Sequence, residues 1–403
     1  MKAPNRYRMQ RFSPDDTFYF YRGRVALYAL LRALDLQPGD EVLVPGFTCI
    51  AVPSPILGLR ARPIYVDIDP HTYNLDPADL ETKISKRSKV IVAQHTFGIP
   101  CDMDAILAIA NRYGLAVIED TCHVWGGKYK DRDLGSIGIA AFYSYDPGKP
   151  FIIGMGGAAT VNTPSLRAAM QDLEHLFHKP PASEIAKLHL QYAAHRLTRH
   201  PRLFWRIRDA YRFLSRNGVA IATWTADSLE GRLGPDYGKS LAPSLKSRLA
   251  NHMLRGDQVI GRHKGLAARY ERGLHALGLP EAVRNPGAEP VLICYPIQVA
   301  EKTRLLDQAR KHSVEMGDWF SSPVHPLPER EWKTVAYEKG SCPAAETVST
   351  QVVTLPCHAG VTGKEADRTL AFLSRMKQAG ILDFVSAAVA KQRVEASPAG
   401  VRN

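Results

Sequence analysis

The most informative residues of the sequence are an aspartate and a lysine whose spacing suits cofactor chemistry. Asp120 ends the apolar run Gly114–Asp120, and Lys149 lies 29 positions later, in the loop after Ser144. This interval has about the length of a strand, a turn and a second strand. A lysine amine in such a loop can form a Schiff base with an aldehyde, and a strand-end carboxylate can keep a pyridine nitrogen protonated. Pyridoxal 5'-phosphate (PLP) requires these two groups, because its protonated ring draws electrons from a carbanion.

Small residues around the same stretch indicate where a phosphate would bind. A glycine cluster at 154–157 follows Lys149, and Gly23 precedes a helix that starts near Val25. Glycine lets an anion approach the backbone, and the first turn of a helix presents unpaired N–H groups to it. We therefore expect Gly23 and the start of this helix to face the cofactor phosphate, with the hydroxyl of Ser144 as a further donor.

Length and composition favour a soluble, two-lobed protein in a reducing compartment. The chain has 403 residues, 45% of them hydrophobic, so we expect one large and one small lobe. No window approaches the roughly 20 apolar residues of a membrane span, and the N-terminal residues lack the apolar core of a signal peptide. Six cysteines are scattered without a CxxC pair, which argues against a zinc or disulfide framework, so we expect no metal site and a cytoplasmic location.

The positive charge of the chain is concentrated in one segment. The net charge is +12, and the segment 167–216 alone carries ten Lys or Arg against four Asp or Glu. The same segment holds five histidines and an aromatic cluster between Phe204 and Phe213. Such a segment can contact nucleic acid, an anionic membrane surface or a phosphorylated substrate, or it can be a solvated basic face with no partner.

From residue 23 to about 160, helical and strand patterns alternate along the chain. The strands are predicted at 41–45, 62–67, 89–93, 115–119, 140–144 and 157–161, and the helices at 25–36, 76–84 and 102–113. Repeated strand–helix–strand units with apolar strands predict an α/β fold whose mostly parallel central sheet is covered by helices. Ligands bind such sheets at the carboxyl ends of the strands, where Asp120 and Ser144 are predicted to lie.

The rest of the chain predicts a smaller C-terminal α+β domain, reached through a basic region and a long helix. The composition changes after Pro164 and again near residue 240. The expected divisions are an N-terminal arm (1–22), a large α/β domain (23–164), a basic helical insertion (165–240), a long connecting helix (241–275), the small α+β domain (276–386) and a flexible tail (387–403).

The order of these motifs resembles the DegT/StrS-type sugar-nucleotide aminotransferases, PLP enzymes of fold type I. The resemblance is strong over about 23–162 and moderate over about 250–380. The residues that carry it are Gly23–Leu27, Pro38–Pro45, Val66–Asp69, His95–Gly98, Ile118–Asp120, Ser144–Lys149, Ala345–Glu346 and Leu355–His358.

The resemblance assigns roles to the central residues. It implies that Lys149 forms the Schiff base and moves a proton, and that Asp120 stays ionised opposite the pyridinium. His123 matches a position where the family places Gln or His beside the cofactor ring, although a buried core histidine is the alternative. Thr48 matches a cofactor-pocket position, and His325 resembles a substrate-side histidine of the small lobe.

Three positions depart from the family pattern. Arg24 replaces a commoner threonine, and we expect it to bind the phosphate through a charge-assisted contact. Cys49 stands where relatives often carry an aromatic residue that stacks on the ring. The Asn-x-Arg-type segment that a partner subunit usually brings to the phosphate has its nearest counterpart at Tyr237–Ser240, so Lys239 is the expected contact. The predicted cofactor set is Gly23, Arg24, Val25, Thr48, Cys49, Asp120, His123, Ser144, Lys149 and Lys239.

The resemblance implies a homodimer that shares its active sites and moves an amino group from L-glutamate to a keto-sugar nucleotide, without a nucleic-acid partner. Dehydration on the same scaffold is disfavoured, because the family's dehydratases replace the lysine with histidine and Lys149 is present. Two alternatives stay open. One is a non-catalytic, PLP-binding regulatory protein, and the other is a glycan-assembly component that contacts the membrane surface through residues 186–216.

Overall fold

The structure is a computed structural model, and it describes residues 12–198, 200–217, 220–221, 232–279, 282 and 284–385. In chain order its strands are β1 (Thr17–Phe20), β2 (Glu41–Pro45), β3 (Thr48–Cys49), β4 (Arg62–Val66), β5 (Ser88–Gln94), β6 (Ala116–Asp120), β7 (Lys128–Tyr129), β8 (Arg132–Asp133), β9 (Ala140–Ser144), β10 (Gly157–Val161), β11 (Ala288–Glu289), β12 (Cys294–Gln298), β13 (Val324–His325) and β14 (Val352–Pro356).

The helices of the same residues are α1 (Gly23–Ala33), α2 (Pro53–Gly58), α3 (Pro77–Lys83), α4 (Met103–Tyr113), α5 (Pro164–Leu173), α6 (Ala182–Thr198), α7 (Phe204–Arg216), α8 (Pro243–Met253), α9 (Gly256–Ala276), α10 (Lys302–Lys311), α11 (Pro343–Gln351) and α12 (Gly363–Gln378). Short 3₁₀ segments lie at Thr96–Gly98, Glu174–Leu176, Pro201–Leu203, Pro235–Gly238 and Glu329–Val335. In the part of the chain that the structure describes, no helix is both long and apolar enough to cross a membrane.

Within the described residues, a seven-stranded sheet in the order β1-β10-β9-β6-β5-β2-β4 forms the centre of the large domain. The strands from β9 to β4 run parallel, whereas β10 and β1 are antiparallel at one edge. All residues of β2, β9 and β10 are buried, as expected for strands covered on both faces. The predicted α/β class with a mostly parallel central sheet is confirmed.

Parallel strands place their carboxyl ends at one edge of the sheet, which collects the end residues of β5, β6 and β9. In the register of these strands, Gln94 pairs with Asp120 and Asp120 pairs with Phe142. Ser144, the last residue of β9, pairs with Gly157 at the start of β10. This edge therefore carries the strand-end polar side chains that the sequence singled out.

The small lobe is built on β12 and β14, which pair antiparallel between Cys294 and Pro356. It contacts the large domain through a short parallel pairing in which Val324 lies opposite Thr48 and His325 opposite Cys49. This pairing brings the segment around His325 to the carboxyl edge of the large sheet.

The structure differs from the predicted divisions in two places. The prediction of one long helix over 241–275 is wrong, because α8 and α9 are separate helices. Leu254 and Arg255 lie between them and interrupt the helical structure. The predicted N-terminal arm contains β1, which pairs with β10 and so belongs to the large sheet. The tail predicted over 387–403 lies outside the described residues.

Candidate active site

The carboxylate of Asp120 is buried at the end of β6. The backbone N–H of Cys122 donates to its Oδ1 at 2.9 Å. Burial raises the pKa of Asp120 above its ordinary value, and this hydrogen bond and the positive charge of Lys149 act against the rise. A buried carboxylate of this kind is stabilised as an anion by a cation placed against it, and a protonated pyridine nitrogen is such a cation.

Lys149 lies in the turn after β9, where its N–H donates to the carbonyl of Asp146 at 3.1 Å. Its ammonium lies 4.6 Å from the centre of the Trp319 ring, so the side chain points toward the small lobe. Burial raises the pKa of the Cys49 thiol to about 11, and the positive charge of Lys149 is the largest opposing influence. The positive charge of Lys149 thus acts on both Asp120 and Cys49.

His123 is buried and lies between aromatic side chains. The backbone N–H of Phe97 donates to its Nδ1 at 3.1 Å, and burial, followed by the charge of Lys149, lowers its pKa well below the ordinary value. A neutral ring that accepts at Nδ1 carries its proton on Nε2. The ring lies parallel to Phe97 and 4.5 Å from Trp319 between centres. His123 can therefore offer an N–H donor from the wall of the pocket.

The N-terminus of α1 approaches the end of β9 closely enough to form a cradle. A Cβ added to Gly23 would lie 3.0 Å from the Cβ of Ser144 and 3.1 Å from the carbonyl oxygen of Tyr143. Any larger residue would fill this space, so Gly23 keeps the first helical turn beside Ser144. Val25 has its side chain in the hydrophobic core, and its N–H donates to the carbonyl of Arg22 at 3.1 Å.

A group of buried charges lies next to this cradle. Arg22 donates from Nε to Asp236 at 2.6 Å, and a guanidinium nitrogen of Arg24 lies 3.5 Å from the same carboxylate. The ammonium of Lys239 contacts Glu184 at 2.9 Å and Asp236 at 3.2 Å. Lys239 is thus paired within its own chain, and its predicted contact with a partner's phosphate stays a prediction. Arg24 lies at the start of α1, where the sequence predicted a phosphate contact.

The pairing of β3 with β13 places three further predicted residues at the pocket. Thr48 donates from its hydroxyl to Oε1 of Gln94 at 2.6 Å, and Cys49 lies opposite His325. The N–H of Ser321 donates to Nδ1 of His325 at 3.2 Å. Burial lowers the pKa of His325 to about 4, so the ring is neutral at neutral pH. The thiol of Cys49 offers no ring face, and Trp319 is the aromatic side chain beside Lys149.

The residues at this edge fit PLP. A cation would stabilise the buried carboxylate of Asp120, and the positive charge of Lys149 already acts on it. Because Gly23 has no Cβ, there is room beside Ser144 for an anion. These are the carboxylate, amine and anion cradle that the ring nitrogen, aldehyde and phosphate of PLP require. Among the described residues, no three His, Cys, Asp or Glu side chains gather into a group that could hold a metal ion.

Sequence reasoning missed three residues that take part in the site. Gln94 ends a strand at the same edge as Asp120, and that position was the signal that could have found it. Asp146 lies three residues before Lys149. Burial raises the pKa of Asp146, and the positive charges of Arg22 and Lys149 oppose the rise. Trp319 reaches the site from the small lobe, and no local pattern in the sequence marks it.

A buried network next to Asp120 holds this strand end in place. Cys101 donates from its N–H to Nδ1 of His95 at 3.1 Å, so Nε2–H of His95 donates to Glu119 at 3.0 Å. The other acceptor positions of Glu119 receive the N–H groups of Ile137 at 2.6 Å and Gly138 at 2.8 Å. The carboxylate thereby fixes the loop that leads from β8 to β9.

We expect Glu119→Gln to lower the free energy of unfolding by about 3 kcal/mol, because an amide group would present donors where His95 already donates. Urea unfolding followed by fluorescence measures the change. Glu81→Gln is the matched control, since Glu81 is partly exposed and pairs with Arg112 at the surface, and its cost should stay within about 0.5 kcal/mol. Equal costs for the two variants would contradict a structural role for the Glu119 network.

Comparison with known proteins points to one family. The model of the DegT/DnrJ/EryC1/StrS aminotransferase family matches residues 20–184 and 247–374. The UDP-2-acetamido-2-deoxy-3-oxo-D-glucuronate aminotransferase of Pseudomonas aeruginosa is 29% identical over 337 residues, which cover 83% of this chain and 79% of that protein. The GDP-perosamine synthase of Caulobacter vibrioides is 42% identical over 149 residues, which cover 37% of this chain and 40% of that protein.

A solved structure shares the fold over most of the chain. Spr1654 from Streptococcus pneumoniae, in its PLP form, superposes with a TM-score of 0.69 at 21% identity, and the match covers 93% of this chain and 90% of that chain. At this identity the likeness concerns the fold alone.

Proposed function

Because the chain belongs to the DegT/DnrJ/EryC1/StrS aminotransferase family and is a PLP-dependent aminotransferase, we propose that it moves an amino group from L-glutamate to the keto carbon of a sugar nucleotide. The product would be an amino sugar for a surface polysaccharide or a glycosylated metabolite. The observation that carries the proposal is the placement of Asp120, Lys149 and His123 at one edge of the sheet, within a family of sugar aminotransferases.

The residues of this edge have distinct roles in the proposed reaction. PLP supplies the electron-withdrawing ring that stabilises negative charge on the carbon from which a proton leaves. Asp120 holds the positive charge of the ring nitrogen, because a buried carboxylate is stable only against a cation. The Nζ atom of Lys149 would take the proton from the donor carbon and, in the second half of the reaction, would deliver a proton to the acceptor carbon that gains the amino group. His123 donates from Nε2 and helps fix the orientation of the ring.

The phosphate end is held by the start of α1. The N–H groups of its first turn and the hydroxyl of Ser144 act as donors, and the guanidinium of Arg24 supplies positive charge. Thr48 is held in place by Gln94, so its backbone and side chain form a rigid part of the pocket wall. His325 faces the pocket from the small lobe as a neutral group that can bind a substrate hydroxyl.

A basic protein suits a substrate that carries two phosphates, since a positive field attracts anionic ligands to the site. We further propose a homodimer with shared active sites, because two-fold contacts are the commonest assembly. A cytoplasmic location completes the proposal, and none of the six cysteines forms a disulfide in the structure, as in a reducing compartment.

The proposal is tested by incubating the PLP-loaded protein with 15N-labelled L-glutamate and a panel of keto-sugar nucleotides. We expect a 15N-labelled amino-sugar nucleotide and an equal amount of 2-oxoglutarate from at least one substrate. Failure of every keto-sugar nucleotide, with amino transfer to another class of ketone, would contradict the substrate class. A purely regulatory protein, the alternative left open by the sequence, would give no 2-oxoglutarate with any acceptor.

A second candidate role, contact with a membrane surface, is favoured by the exposed face of α6. Leu190 and Leu197 are 71% and 88% exposed, lie seven positions apart on this helix and have exposed Lys187 and Arg196 as neighbours. An amphipathic face of this kind binds anionic bilayers. Sedimentation with anionic vesicles at low salt tests it, and loss of sedimentation in Leu190→Glu/Leu197→Glu would support it. Absence of sedimentation by the unmodified protein would exclude it.

A further inference from the structure

Most of α6 and all of α7, two helices of the basic insertion, lie outside the part of the chain that the family model matches. The two matched blocks end at residue 184 and resume at 247, and both α7 and most of α6 fall between them. The match to the family model therefore gives no information about α7.

One face of α7 lies along the segment of the small lobe that leads into the active site. Trp205 donates from Nε1 to the carbonyl of Val314 at 2.8 Å, and a guanidinium nitrogen of Arg208 lies 4.0 Å from Asp318. The guanidinium of Arg208 also lies 4.3 Å from the centre of the Trp205 ring. These contacts fix α7 against the segment that starts at Val314 and continues toward His325.

That segment forms one side of the pocket described above. Trp319 follows Asp318 directly and lies 4.6 Å from the ammonium of Lys149. Phe320 lies 5.5 Å from His325 between ring centres. Asp318, which α7 contacts, is thus the residue directly before Trp319, whose ring lies next to the ammonium of Lys149.

Arg212 continues the same face of α7 toward the pocket. Residues 205, 208 and 212 are spaced by three and then four positions, so their side chains share one side of the helix. Arg212 is exposed. The pKa of His325 is lowered first by burial, Asp318 opposes this effect, and the positive charges of Lys302 and Arg212 add to it. The positive charge of Arg212 thus acts on His325, in agreement with the place of Arg212 on the face of α7 that contacts Asp318.

The charges near Arg212 leave the outer edge of the pocket positive. The charge of Arg208 faces Asp318, and the ammonium of Lys302 is buried and donates to the carbonyls of Phe320 and Ser349 at 3.2 and 2.7 Å. Arg212 remains as a solvent-facing guanidinium at this edge. A guanidinium binds phosphate oxygens through parallel N–H donors and does so more strongly than a neutral donor.

We propose that Arg212, on the face of α7 that contacts Asp318, forms a binding site for the diphosphate of the sugar-nucleotide substrate. The site rests on the proposed function, because it takes the anionic part of the same substrate whose keto carbon is aminated. The basic insertion then contributes to substrate binding in this chain, and the family-matched residues carry the amino-transfer chemistry.

The test measures the binding of inorganic pyrophosphate to the PLP-loaded protein by calorimetry at low ionic strength. We expect Arg212→Gln to weaken pyrophosphate binding by about tenfold. Arg206→Gln is the matched control, because Arg206 is an exposed arginine of the same helix on a different side, and its effect should stay within about twofold. Arg206→Gln should also leave the response of the cofactor absorption to L-glutamate unchanged.

Each outcome decides the proposal. No pyrophosphate binding by the unmodified protein, no effect of Arg212→Gln, or equal effects of the two substitutions would overturn it. Pyrophosphate binding needs no amino transfer. A failure of the Arg212 proposal can therefore be distinguished from a failure of the proposed function. If pyrophosphate binding depends on Arg212 and no keto-sugar nucleotide is aminated, the anion site stands and the substrate class of the reaction is wrong.

Discussion

Replacement of Lys149 by alanine is expected to reduce amino transfer by about 10³-fold or more. Lys149 supplies the amine whose positive charge acts on both Asp120 and His123, and the proposed reaction needs that amine twice. The amine would bind the cofactor aldehyde, and it would move the proton of the donor carbon. The rate of 2-oxoglutarate formation from L-glutamate measures the loss.

The matched control for this variant is Lys264→Ala, which removes an exposed lysine of α9 and should keep full activity. A small primary amine such as methylamine should restore part of the lost rate, because it can take the proton that Lys149 normally takes. A misfolded protein would not respond to added amine. Lys149→Ala with activity near that of the unmodified protein would contradict the assignment.

Replacement of Asp120 by asparagine is expected to reduce turnover by about 10²- to 10³-fold, while Lys149 still binds the cofactor. Burial raises the pKa of Asp120, and a positive charge against its carboxylate stabilises the anion. Asparagine keeps the shape and an acceptor for the N–H of Cys122 but cannot stabilise a protonated ring nitrogen. Steady-state rates and the visible absorption of the bound cofactor separate these two effects.

Asp104→Asn provides the control, because Asp104 is an exposed aspartate that pairs with Lys130 on the surface. It should leave both the absorption and the rate unchanged. If Asp120→Asn turned over at the unmodified rate, the ring nitrogen would not depend on this carboxylate. If Asp120→Asn lost both cofactor binding and turnover, Asp120 would be needed to bind the cofactor as well as to stabilise the charge of its ring nitrogen.

The large domain was predictable because its signals are local. Apolar runs such as Glu41–Pro45 and Ala140–Ser144 are strands in the structure within a residue of the predicted bounds. Asp76 caps α3 by accepting from the N–H of Ala78, as the Asp-Pro pair predicts. Parallel strands end at one edge, so Asp120 and Ser144 could be placed together without knowledge of side-chain packing.

The small-lobe side of the site could not be predicted, because it depends on packing between distant segments. The two-residue pairing of β3 with β13 sets the position of His325 relative to Cys49, and neither strand shows alternation long enough to be recognised. Trp319 reaches Lys149 through this pairing. The contact of Trp205 with Val314 likewise joins residues 109 positions apart, so the docking of the insertion had no local signature.

Two errors in the predicted organisation have similar causes. The apolar pattern from 243 to 275 continues through Leu254 and Arg255, and periodicity alone does not show the break between α8 and α9. Residues 17–20 fall within the predicted arm, because the sequence of a single short strand does not reveal the strand with which it pairs. In the structure that neighbour is β10, to which they pair along their full length.

The central claim is that Lys149 and Asp120 hold PLP for amino transfer, and the absorption spectrum of the purified protein with PLP tests it most directly. The spectrum is recorded before and after addition of L-glutamate, beside that of Lys149→Ala. We predict a visible band of lysine-bound cofactor that disappears with glutamate and is absent in the variant. A protein that gives no such band with PLP, or a band that persists in Lys149→Ala, would contradict the claim.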